Sequence, residues 1–195
     1  MMIELSIFHV ARYIIENVER LTTMKLQKLC YYCQAWTLAW DEIPLFEEDF
    51  EAWANGPICR ELFNVHKGKF SIPHDFLVQY AAFPFNEIQK ENMDIVIKEY
   101  SGFDPQYLSD LTHSELPWQE ARGGVASGEN CDTIIQKESM LIYYQGIITN
   151  NEDLEKEKAE KQLEAYEEYV SEHGEEEPLL WSEALKLLGE VDGNL

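Results

Sequence analysis

The chain has 195 residues, 45% of them hydrophobic and 12% aromatic, which is enough for the packed core of one domain with or without an appendage. Its formal net charge of −22 gives a surface that repels phosphate, so the basic footprint of a nucleic-acid-binding protein is missing. An acidic protein suits a basic protein partner, although acidity also simply keeps cytosolic proteins soluble.

The sequence also indicates the cellular compartment and whether a membrane is involved. The first four residues, Met-Met-Ile-Glu, lack the basic and apolar regions of a secretory signal. No segment approaches the roughly 20 apolar residues of a membrane span. We therefore expect a cytoplasmic protein without membrane association, whose four cysteines are free thiols.

Two helices are predicted at the start of the chain. Ser6 caps the first, which runs to about Asn17. The second follows Thr22-Thr23 and runs to about Trp40, with Lys25 and Lys28 on its polar side. Its inner stripe has near-helical spacing and comprises Leu26, Leu29, Cys30, Cys33, Trp36 and Trp40.

The spacing Cys30-x-x-Cys33 also occurs in metal and redox sites. A structural zinc needs four ligands, and neither Cys59 nor Cys131 has a second cysteine near it. Both sulfurs fall on the apolar face of the predicted helix, where a free cysteine behaves as a small hydrophobe. We therefore predict core residues at this spacing, with no metal and no cofactor.

An acid-rich connection runs from Asp41 to Glu51 and is followed by a break at Asn55-Gly56-Pro57. It lacks the glycine-centred loop of a calcium site, so a solvated acidic face is expected. The stretch 46–53 is either helical or a short extended segment. Pro57 suits the first position of a helix, which we predict to run to about His66.

Two further helices are predicted in the second half of the domain. One is capped by Asn86 and runs to about Tyr100, and the other runs from about Gln136 to Ile148 and closes the core. The glycine-rich stretch 123–130 lacks the lysine followed by serine or threonine of a phosphate-binding loop, so we interpret it as a plain connector.

Between those helices the sequence predicts a fixed joint of two short helices. Asp104 caps the first and Pro105 opens it. Pro117 ends it, because the residue before a proline is driven out of the α region, and the second helix then runs to Gly123-Gly124. His113 stands at the corner, where we expect it to bond backbone groups.

Three stretches carry a specific pattern in this order. Residues 24–32 are Met-Lys-Leu-Gln-Lys-Leu-Cys-Tyr-Tyr, residues 44–57 include Pro-Leu-Phe, Glu-Ala-Trp and Gly-Pro, and residues 111–118 are Leu-Thr-His-Ser-Glu-Leu-Pro-Trp. Over about residues 5–150 they resemble the Panacea domain, the SocA-like antitoxin and phage-associated family. The motif residues are Lys25, Gln27, Lys28, Trp53, Gly56, Pro57, Thr112, His113, Pro117 and Trp118.

The resemblance implies a mostly helical domain that neutralises a toxin encoded beside it, usually by direct binding. In one branch of the family the domain delivers the toxin to a protease. Family members pair with many unrelated toxins, so the domain does not name the partner. Cys30 and Cys33 depart from the pattern, since apolar or small residues are expected there.

An acidic extension beyond the resemblance begins near Asn151 and carries about half of the excess negative charge. We predict a helix to about Glu172, a break, and a short apolar helix over 179–189. A helix that short is unstable alone, so it must dock on its own domain, a twin chain or a partner. Its candidate partner-binding stripe comprises Leu180, Trp181, Ala184, Leu187 and Leu188.

The predicted fold is mainly α: a compact multi-helix domain over residues 1–150, with room for one very short β-hairpin, and an acidic helical extension over residues 151–195. The predicted function is that of an antitoxin that binds a cognate protein toxin with a basic surface, without nucleic acid or membrane. Alternatives are a proteolytic adaptor or a prophage-associated interaction protein. The oligomeric state stays open.

An enzyme is the less favoured class. The sequence lacks the G-x-S-x-G and H-E-x-x-H motifs. A small polar site at His113, Arg122 and Trp118 is the one arrangement that this alternative offers, and we predict no catalytic residue.

Overall fold

The computed structural model describes residues 5–83 and 85–151. Internal contacts divide the chain into a unit that ends at Ile147 and a second that begins at Ile148, of which residues 148–151 are described. The predicted boundary at residue 150 stays a prediction. The helices expected beyond residue 151, including the stripe from Leu180 to Leu188, lie outside the described residues.

The described residues form a mainly α fold with one small sheet, which confirms the predicted class. A 3-10 turn covers Val78–Tyr80, and the last helix, α7, begins at residue 137 and reaches residue 151. The other helices are α1 (Ile7–Asn17), α2 (Thr23–Asp41), α3 (Arg60–His66), α4 (Glu87–Tyr100), α5 (Pro105–Ser114) and α6 (Leu116–Arg122). The strands are β1 (Phe50–Trp53), β2 (Gly56–Ile58) and β3 (Ile134–Ile135).

The helix starts follow the local capping rules. The Ser6 N–H donates to Nδ1 of His9 at 3.1 Å at the start of α1. Thr22 Oγ1 accepts from the Lys25 N–H at 3.2 Å, and Asn86 Oδ1 accepts from the Gln89 N–H at 2.8 Å. Because each cap satisfies backbone donors that a helix leaves free, these starts confirm the prediction.

The central helix is α2, and it packs against α1, α4, α5 and strand β2. Its side chains are buried around the whole circumference between Leu26 and Ala35, as expected of a helix in the middle of a core. The prediction that Lys28 lies on a polar side is therefore wrong, since its side chain is 0% exposed. Trp40, assigned to the inner stripe, lies at the surface instead and is 36% exposed.

The sheet has the order β2-β1-β3, and both pairings are antiparallel. Strands β1 and β2 form the short hairpin for which the predicted fold had room. The prediction that Pro57 opens a helix is wrong, because it lies in β2 opposite Ala52 and α3 begins at Arg60. An edge strand accommodates proline, which has no N–H to give to a ladder. Strand β3 was not predicted.

The acid-rich connection is tied into the fold rather than being merely a solvated face. Glu48 accepts from the Ile7 N–H at 3.1 Å, and Lys137 pairs with Asp49 at 2.6 Å. Asp41 accepts from Asn92 at 2.8 Å. Within the described ranges, no group of three or more His, Cys, Asp or Glu is arranged to hold a metal ion.

The cysteines follow the core interpretation. Cys30, Cys33, Cys59 and Cys131 are all free and buried. Burial raises the pKa of the Cys30 and Cys33 thiols, so they stay protonated at neutral pH. No helix among the described residues is long and apolar enough to cross a membrane.

Candidate functional site

The tip of the hairpin is the point where the three sequence motifs meet. Gly56 has φ +88°, a conformation that side-chain-bearing residues rarely adopt. A Cβ atom there would lie 2.6 Å from Thr112 Oγ1 and 2.8 Å from Lys28 Nζ. The glycine thus lets α2, α5 and the hairpin approach each other closely.

Lys28 joins the central helix to the second strand. Its Nζ donates to the carbonyl oxygen of Pro57 at 2.9 Å. The side chain is fully buried, and burial lowers the pKa of Lys28 to about 7. A lysine held this way gives a hydrogen bond to the strand whether or not it carries the extra proton.

Gln27, the neighbour of Lys28, fixes the exit from the hairpin. Its Oε1 accepts from the Cys59 N–H at 2.9 Å, and its Nε2 donates to the Cys59 carbonyl oxygen at 3.3 Å. Its Nε2 also lies 2.9 Å from Nε2 of His66. Burial lowers the pKa of His66, which favours the neutral ring as the acceptor of this contact. The two ends of α3 are therefore both tied to α2.

Helices α5 and α6, which contain the third motif, also donate hydrogen bonds to the hairpin. Ser109 Oγ donates to the Asn55 carbonyl oxygen at 2.9 Å. Trp118 Nε1 donates to the Trp53 carbonyl oxygen at 3.1 Å. The predicted joint of two short helices is confirmed, with Gly123 in the left-handed conformation at its end.

His113 lies between the joint and the hairpin tip. Its ring stacks on Trp118, with centroids 4.1 Å apart. Nε2 makes no hydrogen bond of standard geometry with the described residues, but the Ala54 backbone interacts with the ring, in keeping with the predicted contact to backbone groups. Burial lowers the pKa of His113, and the Lys28 amine acts in the same direction. The corner itself is bridged by Gln119 Nε2, which donates to the His113 carbonyl oxygen at 2.9 Å.

Arg122 locks the hairpin to the following loop. Its guanidinium donates to the carbonyl oxygens of Ala52 at 3.1 Å, Ala126 at 2.7 Å and Glu129 at 3.1 Å. It also lies 5.1 Å from the centre of the Trp118 ring. The contacts that the enzymatic alternative assigned to a substrate are thus occupied by the backbone.

A buried carboxylate network lies at the same corner and was missed by sequence reasoning. Glu115 is 5% exposed and accepts from Tyr32 Oη at 3.0 Å and from Tyr144 Oη at 2.8 Å. Burial raises the pKa of Glu115 to about 7. The sequence signal for this network is the glutamate inside the third motif. Its tyrosine partners are 83 and 29 residues away in the sequence, so the network is not visible locally.

Comparison with known proteins supports the resemblance. Residues 26–119 match the model of the family described as antitoxin SocA-like, Panacea domain. This segment is similar to a Panacea domain. The resemblance drawn from the three motifs is thereby confirmed. No curated protein and no solved structure gives a significant match.

The matched segment holds almost the whole set of clamping side chains. Gln27, Lys28, Thr112 and Trp118 fall within it, whereas Arg122 lies just beyond its end. We call this set, with Arg122 included, the hairpin clamp. Lys25 stands apart from it: the side chain is half-buried, and burial lowers its pKa while Asp104 opposes the shift.

Beside the clamped hairpin lies a cleft of about 640 Å³. Trp53 and Phe63 form an aromatic wall, with ring centroids 4.8 Å apart. Arg60 lies 5.5 Å from the centre of the Trp53 ring and is held by Glu51 at 2.6 Å. His66 lines the cleft but its Nε2 faces Gln27, so the Arg60 and His66 side chains are already engaged.

Proposed function

We propose that this chain is an antitoxin that neutralises a cognate protein toxin by binding it directly. The family of residues 26–119 supports an antitoxin role. The observation that carries the proposal is the set of hydrogen-bond partners of the motif side chains. Lys28, Gln27 and Trp118 end on backbone groups of the hairpin, so the motif builds a scaffold.

Catalysis would require an acid, base or nucleophile that faces a substrate cavity. The Lys28 amine is fully enclosed, and the Arg122 guanidinium donates to three carbonyl oxygens. His113 is covered by Trp118. Each group that the enzymatic alternative needs has a packing role instead, which favours recognition of another macromolecule.

The charge of the chain supports the class of partner. A net charge of −22 attracts a basic protein over distances of several ångströms and speeds its encounter. It also disfavours a nucleic-acid target, because phosphate would be repelled. We therefore propose a toxin with a basic surface.

The test is growth rescue in trans. The reading frame beside this gene is expressed from an inducible promoter, with or without the full-length chain on a second plasmid. We expect growth arrest from the neighbour alone, rescue by the chain, and co-elution of the two proteins on gel filtration. A harmless neighbour, or rescue without a complex, contradicts the proposal.

The amount of toxin separates two routes to rescue. Immunoblotting of the epitope-tagged toxin during rescue gives an unchanged level if the chain acts by occlusion. A toxin level that falls when the chain is present, and recovers in a strain that lacks the major cytoplasmic proteases, contradicts occlusion and supports the proteolytic-adaptor alternative.

A further inference from the structure

An open groove lies between α2, α4 and α5 and is lined almost entirely by apolar and aromatic side chains. Its volume is about 410 Å³. Among the residues that line it, one is charged, Glu99, and none is Lys or Arg. Its main residues are Trp36, Trp40, Ile95, Tyr100, Phe103 and Tyr107. We call it the aromatic groove.

The exposure of these side chains is concentrated in one place. Trp40 is 36% exposed, Ile95 42%, Phe103 41% and Tyr107 50%. Single exposed apolar residues are normal on a protein surface, and Phe70 is such a case at 83%. Several that share one groove are typical of an interaction surface.

The groove is also held rigidly. Trp36 stacks on Trp40 with centroids 5.3 Å apart, and its Nε1 donates to Tyr100 Oη at 2.9 Å. Phe103 and Tyr107 are in ring contact at 4.7 Å. Aromatic anchors that are already fixed lose little side-chain freedom when a partner binds.

Negative charge is in excess on the helix that forms one wall of the groove. Glu99 of α4 lines the groove. Along the whole of α4, four carboxylates outnumber two amines: Glu87, Glu91, Asp94 and Glu99 against Lys90 and Lys98. This wall is thus acidic on balance and complements a basic occupant.

We propose that the aromatic groove receives an amphipathic helix of the partner toxin, with large apolar side chains on its inner face and Lys or Arg along its flanks. This inference rests on the proposed antitoxin function and names the surface that performs it. A helix laid in a groove places anchors at i, i+3 or i+4 and i+7. The cleft beside the hairpin is less suited, because Arg60 and His66 there are already paired.

The test uses the full-length chain and the purified product of the adjacent reading frame. Tyr107→Lys places a cation in the groove at a half-exposed position, and the double variant Phe103→Ser with Tyr107→Ser removes two anchors. Phe70→Ser is the matched control, because Phe70 is an exposed aromatic residue that does not line the groove. It follows α3, and its carbonyl oxygen accepts from the Thr23 N–H at the start of α2. Thermal unfolding midpoints establish that each variant is folded.

We expect at least tenfold weaker binding for both groove variants and an unchanged dissociation constant for Phe70→Ser. Unchanged binding by Tyr107→Lys and by the double variant overturns the inference while leaving the antitoxin proposal intact. If the wild-type chain itself fails to bind the neighbour's product, the antitoxin proposal fails and this inference with it.

Two other occupants of the aromatic groove would each give a result that differs from the one expected for a toxin helix. If the groove variants turn a dimer into a monomer in sedimentation experiments without changing toxin affinity, a second copy of this chain occupies the groove. If they lower the unfolding midpoint of the free chain by several degrees with toxin affinity unchanged, a segment of the chain itself covers it. Either result overturns the proposed occupant.

Discussion

Lys28 Nζ donates to the carbonyl oxygen of Pro57 across 2.9 Å, inside a core from which water is excluded. This hydrogen bond joins the central helix to the edge strand β2. It also puts an amine where its charge is costly, which is why the pKa of Lys28 is lowered to about 7. Because the neutral amine can still donate this hydrogen bond, the low pKa changes the stability of the fold with pH and not the contact itself.

The first prediction concerns the pH dependence of stability. Between pH 7 and the ordinary lysine pKa of 10.5, the unfolded chain binds a proton at Lys28 that the folded chain does not. The free energy of unfolding therefore rises with pH in this window, by up to about 1.4 kcal/mol per pH unit from this group. Below pH 7 both states are protonated and the contribution is flat.

Urea unfolding of wild type and Lys28→Met at pH 7, 8 and 9 measures the difference. The variant is expected to lose most of the rise, whereas Lys25→Met, at a half-buried lysine of the same helix, keeps it. Parallel curves for wild type and Lys28→Met would show that the buried amine is not the titrating group.

The second prediction isolates the close approach at the hairpin tip. Gly56→Ala puts a methyl group 2.6 Å from Thr112 Oγ1 and retains a φ of +88°. Gly68→Ala has φ +82° and meets no atom within 4 Å, so it costs about 1 kcal/mol for the backbone alone. We expect Gly56→Ala to cost at least about 2 kcal/mol more in urea unfolding. Equal costs would contradict the convergence of the three motifs.

The third prediction concerns the carboxylate network. The pKa of Glu115 is raised from 4.5 to about 7, so between these values the folded chain holds a proton that the unfolded chain has lost. This contribution is fully present below pH 4.5 and is lost as the pH rises to 7. Glu115→Gln stays neutral throughout and can still bond both tyrosines.

We expect Glu115→Gln to match wild type near pH 4.5 and to exceed its unfolding free energy at pH 8, by at most about 3 kcal/mol. Glu120→Gln, at an exposed position on α6, serves as the control and should change neither value. A variant that is less stable than wild type at pH 8 would mean that the ionised carboxylate is favoured in this site.

Arginine geometry is the subject of the fourth prediction. Arg122→Lys keeps the charge but cannot reach the three carbonyl oxygens that the guanidinium bonds. We expect a loss of about 2 to 4 kcal/mol in the free energy of unfolding. Arg60→Lys, at a side chain that is 48% exposed, should cost far less. Similar losses at the two sites would remove Arg122 from the hairpin clamp.

The fifth prediction uses the buried thiols. Burial raises the pKa of Cys30, Cys33 and Cys59, and a protonated, enclosed thiol reacts slowly. We expect labelling by a maleimide to follow the urea unfolding curve, with no effect of EDTA on the midpoint. Rapid labelling of Cys30 or Cys33 in the native chain would contradict their core position.

Local signals explain what could be predicted from sequence. Thr22, Asn86 and Asp104 each accept from a backbone N–H within three residues of themselves, and the Ser6 N–H donates to the His9 ring. The helix starts therefore follow from short stretches of chain. The joint at Pro117 follows for the same reason. The motifs on which the resemblance to the Panacea domain rests are likewise short stretches of the sequence.

Long-range packing explains what could not be predicted. Helical spacing places Lys28 on a polar face, but α2 is enclosed by five elements, and the acceptor at Pro57 is 29 residues away. The local sequence predicts a helix start at Pro57 because the pairing of Pro57 with Ala52 is not visible in it. Strand β3 has two residues, too few to give a period.

The proposed antitoxin function depends most on direct binding of a protein partner by this chain. Isothermal titration calorimetry of the purified full-length chain against the purified product of the adjacent reading frame tests that claim. We predict saturable binding at a fixed stoichiometry, weakened at high salt because acidic and basic surfaces meet. Growth rescue by a chain that gives no binding at micromolar concentrations would contradict it.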